Sequence, residues 1–280
     1  MQKYFSNSKT RDLGIVFTTG QWHFELALHA ILTLRDVLKC TLPIQVLYMG
    51  PNDLPAEMLA AFRAIPGVST LDITTKFAAA DIGGWAVKPF SILASEFRTS
   101  IFIDADVLFF QNPETMVKES MLFKEYGQLF YHDRSIGRDD PVEWFRSIDP
   151  EMTQYATRLR YTNGLSSHEM ESGVVVVDKA RTGNLHALLM WMSWDMIRVP
   201  YKFTPTFGGT VGYMNEKSHI EWEWETENSP FCFGPRYPER EIVVLSDLNK
   251  ANGKKYVDMY VEIKEKGWKQ YVEGRFKVKV

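Results

Sequence analysis

Cysteine is scarce in this chain: Cys40 and Cys232 are the two in 280 residues. That excludes a disulfide scaffold, and their separation excludes a thiolate metal site of the usual close spacing. A single bridge between them stays open. Neither sign of charge dominates, with 32 Lys and Arg against 35 Asp and Glu for a formal charge of -3. The basic residues do not cluster before the last turns, so a nucleic-acid partner, which needs a dense cationic face, is disfavoured. Residues 1–13 are polar and contain no apolar segment of signal or membrane length. As written, the chain is expected to be soluble, with no membrane span: cytoplasmic if complete, luminal if it is part of a longer protein. An Asn-x-Ser/Thr acceptor is also missing, because Asn228-Ser229-Pro230 does not fit. Repeats and low-complexity linkers are absent too, which predicts a single domain over 1–280 with residues 1–12 flexible.

Apolar residues make up 45% of the chain, enough to bury one large core. Their spacing alternates between two periods. Short apolar runs at 13–18, 43–48 and 68–73 read as strands, and stretches at 23–39 and 55–64 carry apolar residues at helical spacing. Strand, helix, strand, helix in this order predicts an α/β fold with a mostly parallel sheet. Further on, Pro89 is placed to open a helix with Lys88 at its threshold. Residues 129–132 and 174–178 read as strands, 184–196 as a covering helix and 241–245 as one more strand. From 254 the chain reads as a charged tail with some amphipathic pattern. His23, His29 and His186 fall in helical stretches and read as structural.

The chain is organised around Ser100-Ile101-Phe102-Ile103-Asp104-Ala105-Asp106. A run this apolar is a buried strand, and ligands in open α/β sheets gather beyond the carboxyl ends of such strands. Two carboxylates one residue apart repel unless a cation or a shared proton lies between them. The functional reading is a divalent metal held by Asp104 and Asp106 against substrate phosphates. The structural alternative is a strand ending in a solvated turn.

Other candidates gather around this pair. Thr18, Thr19 and Gly20 end the first strand, where backbone N–H groups can receive a nucleotide. Lys88 stands near the Asp104 strand end, suited to diphosphate charge, or is a plain surface lysine. Glu171 precedes a glycine and a buried strand, which points it to the same crevice or to a solvated turn. Gly208 and Gly209 allow backbone to approach a phosphate or sugar but lack the spacing of a phosphate-binding loop. Trp222 and Trp224 share one face if they lie on a strand, and can stack there on a sugar. His219 is placed to be a third metal ligand, although a lone histidine carries that reading weakly.

These motifs carry a resemblance. Gly14-Ile15-Val16 with Gly20 and His23, Leu42-Pro43-Ile44 with Tyr48, Gly50, Asp53 and Leu54, Lys88-Pro89-Phe90, Ile103-Asp104-Ala105-Asp106, and Glu171-Ser172-Gly173 before its valine run resemble the fungal Golgi α-1,3-mannosyltransferase family. The likeness covers roughly residues 13–195. It implies a GT-A-like, Rossmann-type nucleotide-diphospho-sugar transferase fold with a mixed sheet. It implies GDP-mannose as donor, a mannose-ended glycan as acceptor and a Golgi-luminal setting. It also implies Mn2+ or Mg2+ held by Asp104 and Asp106, with Thr18 to Gly20 on the nucleotide and Glu171 near the sugar.

The chain departs from the family pattern where Trp194-Asp195-Met196-Ile197-Arg198 runs almost directly into Val199-Pro200-Tyr201. The family usually places an acidic, aromatic stretch and a helix there, so a segment near 195–200 reads as lost. A late family histidine is replaced by Ser246-Asp247. The leading expectation is a retaining, metal-dependent α-1,3-mannosyltransferase. A degenerate protein that binds sugar nucleotide or glycan without transfer is the alternative. An Asp-nucleophile phosphatase fits poorly, because that motif normally follows the first strand of its fold.

Overall fold

A computed structural model describes residues 11–77, 84–132, 151–154, 156–159, 162–163, 170–182, 213–214, 220–221 and 247–280. In chain order the elements begin with β1 (Arg11–Thr18), α1 (Phe24–Asp36), β2 (Ile44–Tyr48), α2 (Ala56–Ala64) and β3 (Val68–Asp72). They continue with α3 (Val87–Ala94), β4 (Phe97–Ile103), the short α4 (Thr115–Lys118) and α5 (Met121–Tyr126), β5 (Gln128–His132) and β6 (Met170–Asp178). A small ladder of β7 (Tyr213–Met214) and β8 (Ile220–Glu221) precedes α6 (Asp247–Lys266) and α7 (Trp268–Phe276).

The main sheet has the order β3-β2-β1-β4-β6-β5. Strands β3, β2, β1 and β4 are parallel, and β6 runs antiparallel between β4 and β5. The sheet is therefore mixed and mostly parallel: the alternation of periods predicts the parallel part, and the family resemblance implies the mixture. Both faces are covered, which explains the unbroken apolar runs. Ile15, Phe17, Ile101, Ile103, Val174 and Val176 pack with α1, α2 and the C-terminal helices. Val16, Phe102, Val175 and Val177 pack on the opposite face with Val87, Phe90 and Ile92 of α3. Gly14 has a packing reason: a Cβ there would overlap the Phe97 ring of the neighbouring strand.

Several expectations are corrected. Helix α1 begins at Phe24, after a 3-10 turn over Gln21–His23, so His23 is exposed on a turn rather than set in a helix. Helix α3 begins at Val87, two residues before Pro89. Proline is tolerated there because first-turn N–H groups lack helical acceptors in any case. The charged tail is two docked helices. Tyr256, Tyr260 and Ile263 of α6 and Tyr271 and Val272 of α7 are buried in the same core as α1, at roughly 1.5–3 kcal/mol for each large side chain taken from water. The spans read as a helix at 184–196 and a strand at 241–245 lie outside the described residues.

Candidate active site

Strands β1 and β4 are neighbours, with Phe17 opposite Ile103. The strand order reverses between β1 and β4, and the helices of the β1–β2 and β3–β4 crossovers, α1 and α3, cover opposite faces of the sheet. A crevice opens beyond the carboxyl ends of such a pair. Thr18 to Gly20 lie at the end of one strand and Asp104 to Asp106 follow the end of its neighbour. The antiparallel β6 brings its first residues to the same edge, because the Asp104 N–H donates to the Gly173 carbonyl (2.8 Å). Glu171, two residues before that contact, is described in its backbone alone and pairs there with Tyr131 of β5.

Lys88 joins these pieces. Its Nζ donates to Asp104 Oδ2 at 2.6 Å and to Ser172 Oγ at 3.0 Å. It also lies 5.9 Å from the centre of the Phe102 ring. Little water reaches the pair, whose side chains are 12% and 19% exposed. Asp104 retains acceptor capacity for a second partner, since a carboxylate offers lone pairs on both oxygens. Asp106 follows on the turn closed by the Val107 N–H to the Asp104 carbonyl (3.2 Å). Burial, and then the Asp104 charge, push the Asp106 carboxyl up to about 6, with Lys88 and His23 acting against the rise. Asp106 retains some surface exposure, but that charge balance makes the pair receptive to a cation.

The strand end at Thr18 to Gly20 is built from internal bonds. Thr18 Oγ1 donates to Ser91 Oγ (2.6 Å) on α3, and Thr19 Oγ1 donates to the Gly20 carbonyl (3.1 Å). The space a side chain would take at Gly20 belongs to the Asp53 carboxylate, which also accepts the Met49 N–H at 2.9 Å. The turn that follows is fixed by the Gln21 N–H to the Asp53 carbonyl (2.8 Å) and leaves Trp22 89% exposed. Sequence reasoning read His23 as structural and gave no role to Asp53, Ser91 or Ser172. For Ser172 the signal was its place in Glu171-Ser172-Gly173. A second lysine is also built into the frame: Lys179, at the end of β6, is buried and donates to the Ile92 and Ser95 carbonyls (3.1 and 2.6 Å) at the last turn of α3. Burial drags its ammonium down to about 7, while the carbonyl end of the helix favours a cation there.

Gly208, Gly209, His219, Trp222 and Trp224 lie outside the described residues, as does Cys232; Cys40 is a buried free thiol. Among the described residues no group of three or more His, Cys, Asp or Glu side chains is arranged to hold a metal, and no helix is long and apolar enough to cross a membrane. The protein contribution to a cation would come from Asp104 and Asp106. The fit is reasonable, because hard cations bound with phosphorylated substrates commonly take one or two carboxylates and complete their shell with phosphate oxygens and water.

A family model described as "Mannosyltransferase putative" matches residues 12–201, about two thirds of the chain. The chain belongs to this mannosyltransferase family. It is 28% identical over 193 residues to a Candida albicans protein described as "Putative alpha-1,3-mannosyltransferase MNN14", covering 59% of this chain and 28% of that relative. It is 33% identical over 118 residues to "Putative alpha-1,3-mannosyltransferase MNN13" of the same organism, covering 36% of this chain and 15% of that one. The matches thus span about a quarter or less of the length of these curated relatives. Among solved structures, the bifunctional glycosyltransferase WbbM is similar at a TM-score of 0.42 and 12% identity, over 64% of this chain and 34% of that one. The galactosyltransferase LgtC is similar at 0.40 and 13%, over 67% and 66%. Likeness at this level adds nothing to the architecture read from the sheet order itself.

Proposed function

We propose that this family member is the catalytic domain of a retaining, metal-dependent α-1,3-mannosyltransferase with a GT-A-like fold. It takes mannose from GDP-mannose to a mannose-ended glycan, in the Golgi lumen. The observation that carries the reading is the Lys88–Asp104–Asp106 assembly at the β1/β4 crevice, in a chain whose family is one of mannosyltransferases. Thr18 to Gly20 receive the nucleotide, with Gly208 and Gly209 as further backbone contacts. Asp104 and Asp106 hold Mn2+ or Mg2+, with His219 as third ligand; the cation, when bound, offsets charge on the donor diphosphate. Lys88 orients Asp104 through their 2.6 Å contact, and adds positive charge where the leaving group gains negative charge.

In the reaction the bond from the anomeric carbon to the diphosphate oxygen breaks and a bond to the acceptor oxygen forms. The acceptor proton leaves with the GDP phosphate oxygen or with a carboxylate. Glu171 is the candidate carboxylate beside the sugar, because register brings its backbone to the edge that holds Asp104. Donor and product are both α-linked, so configuration is retained. The test is mannose transfer to an α-mannoside acceptor and GDP release, measured on the same samples with manganese and after chelation. Transfer that survives Asp104→Ala would overturn the reading. Donor binding without transfer or donor turnover would favour the alternative of a degenerate sugar-nucleotide-binding protein.

A further inference from the structure

The C-terminal helices lie beyond the family-matched segment of 12–201, yet they reach back to the Asp104–Asp106 turn. Tyr256 of α6 is fully buried. Its hydroxyl donates to the Phe109 carbonyl at 2.5 Å, and its ring lies 5.5 Å from the Phe110 ring. Its own carbonyl accepts the Nε2–H of His29 on α1 at 2.8 Å. The His29 ring in turn meets Tyr260 edge-on at 5.3 Å. Tyr256 is thereby tied in front to the segment that follows the aspartate pair and behind to the helix that follows β1.

That segment needs such a tie. Beyond Ile103 the chain leaves the sheet, and Ala105, Val107, Leu108, Phe109 and Phe110 enter the core that also contains Tyr256, Tyr260 and Ile263. A carbonyl taken into a core must find a donor or forfeit its hydration. Burial raises the Tyr256 hydroxyl pKa, so it stays a neutral donor throughout the working range. A shift of α6 pulls at Phe109, and through the two intervening residues, Val107 and Leu108, at Asp106.

We infer that Tyr256 is a positioning residue, through which α6 fixes the turn that presents Asp104 and Asp106. The part of the inference that names a cation and GDP rests on the proposed function; the part that concerns the turn does not. The experiment uses the full chain and Tyr256→Phe, which removes the hydroxyl and keeps the ring. Tyr271→Phe is the control, being buried in the same core on α7. Hydrogen exchange in the ligand-free protein is expected to speed up at the Val107 amide by about 2- to 10-fold, the worth of one hydrogen bond, with Ile101 to Ile103 unchanged. Manganese-supported GDP binding is expected to weaken by a similar factor of about 2 to 10. Tyr271→Phe should move neither readout. A Tyr256→Phe variant that lowers the melting temperature but leaves Val107 exchange at the wild-type rate overturns the inference. Faster Val107 exchange in a chain that binds no GDP with manganese supports the positioning role and removes the ligand reading instead. Should the variant not fold, wild-type exchange decides. Val107 should open together with the α6 amides, and opening independent of α6 overturns the inference.

Discussion

His29 makes the docking of α6 dependent on pH in a direction that can be worked out. The ring is 1% exposed, donates through Nε2 to the Tyr256 carbonyl, and is held neutral because burial lowers its pKa from 6.5 to about 4. Between those values the unfolded chain binds a proton that the folded chain refuses, so stability falls as pH falls from 6.5 to 4 and is flat in this contribution outside the window. Two and a half units at about 1.4 kcal/mol each give a loss of about 3 kcal/mol. Carboxylates titrate in the same range, so the measurement is a difference. Urea denaturation of wild type and of His29→Gln is followed from pH 7.5 to pH 4. The wild-type curve should be the steeper, by about 3 kcal/mol over the window, even though the variant is less stable at pH 7.5 for want of the imidazole. Parallel curves would show that the ring is not held neutral by burial, and the account of the α1–α6 contact would be wrong.

Lys88→Met leaves two carboxylates at the crevice without their nearby ammonium. For a pair 12% and 19% exposed, the expected cost is about 2–3 kcal/mol in urea denaturation, somewhat below that of breaking a fully buried pair; an unchanged midpoint would contradict it. Gly14→Ala forces a methyl group into the Phe97 ring at the centre of the sheet and should cost about 1–3 kcal/mol, read as a lowered melting temperature. An equal or higher melting temperature would show that the ring moves aside freely.

The sheet was legible because its strands are buried on both faces. Residues 15–17, 101–103 and 174–177 are apolar without a break, and that signature survives in one sequence. The aspartate pair was legible for the same reason, since two carboxylates after such a run have few places to lie. His23 was misread because helical spacing continues through it, while the hydrogen bonds of the preceding turn, which place it at the crevice, come from distant Asp53. The C-terminal helices were misread because three of their anchors are tyrosines, at 256, 260 and 271, set among lysines and glutamates. A tyrosine fits a wet surface or a dry core equally well until a partner for its hydroxyl is known. Lys179 was hidden because buried lysines are rare, and its partners are carbonyls of a helix more than 80 residues earlier in the chain.

The most direct test is calorimetric titration of GDP-mannose into the purified chain with manganese and after its removal, repeated on Asp104→Ala. Binding is expected to tighten about tenfold or more with manganese, a difference of about 1.4 kcal/mol or more. The Asp104→Ala variant should stay folded and lose the difference. Equal affinity for GDP-mannose in the presence and absence of manganese, in the wild-type chain, would contradict the metal-dependent reading.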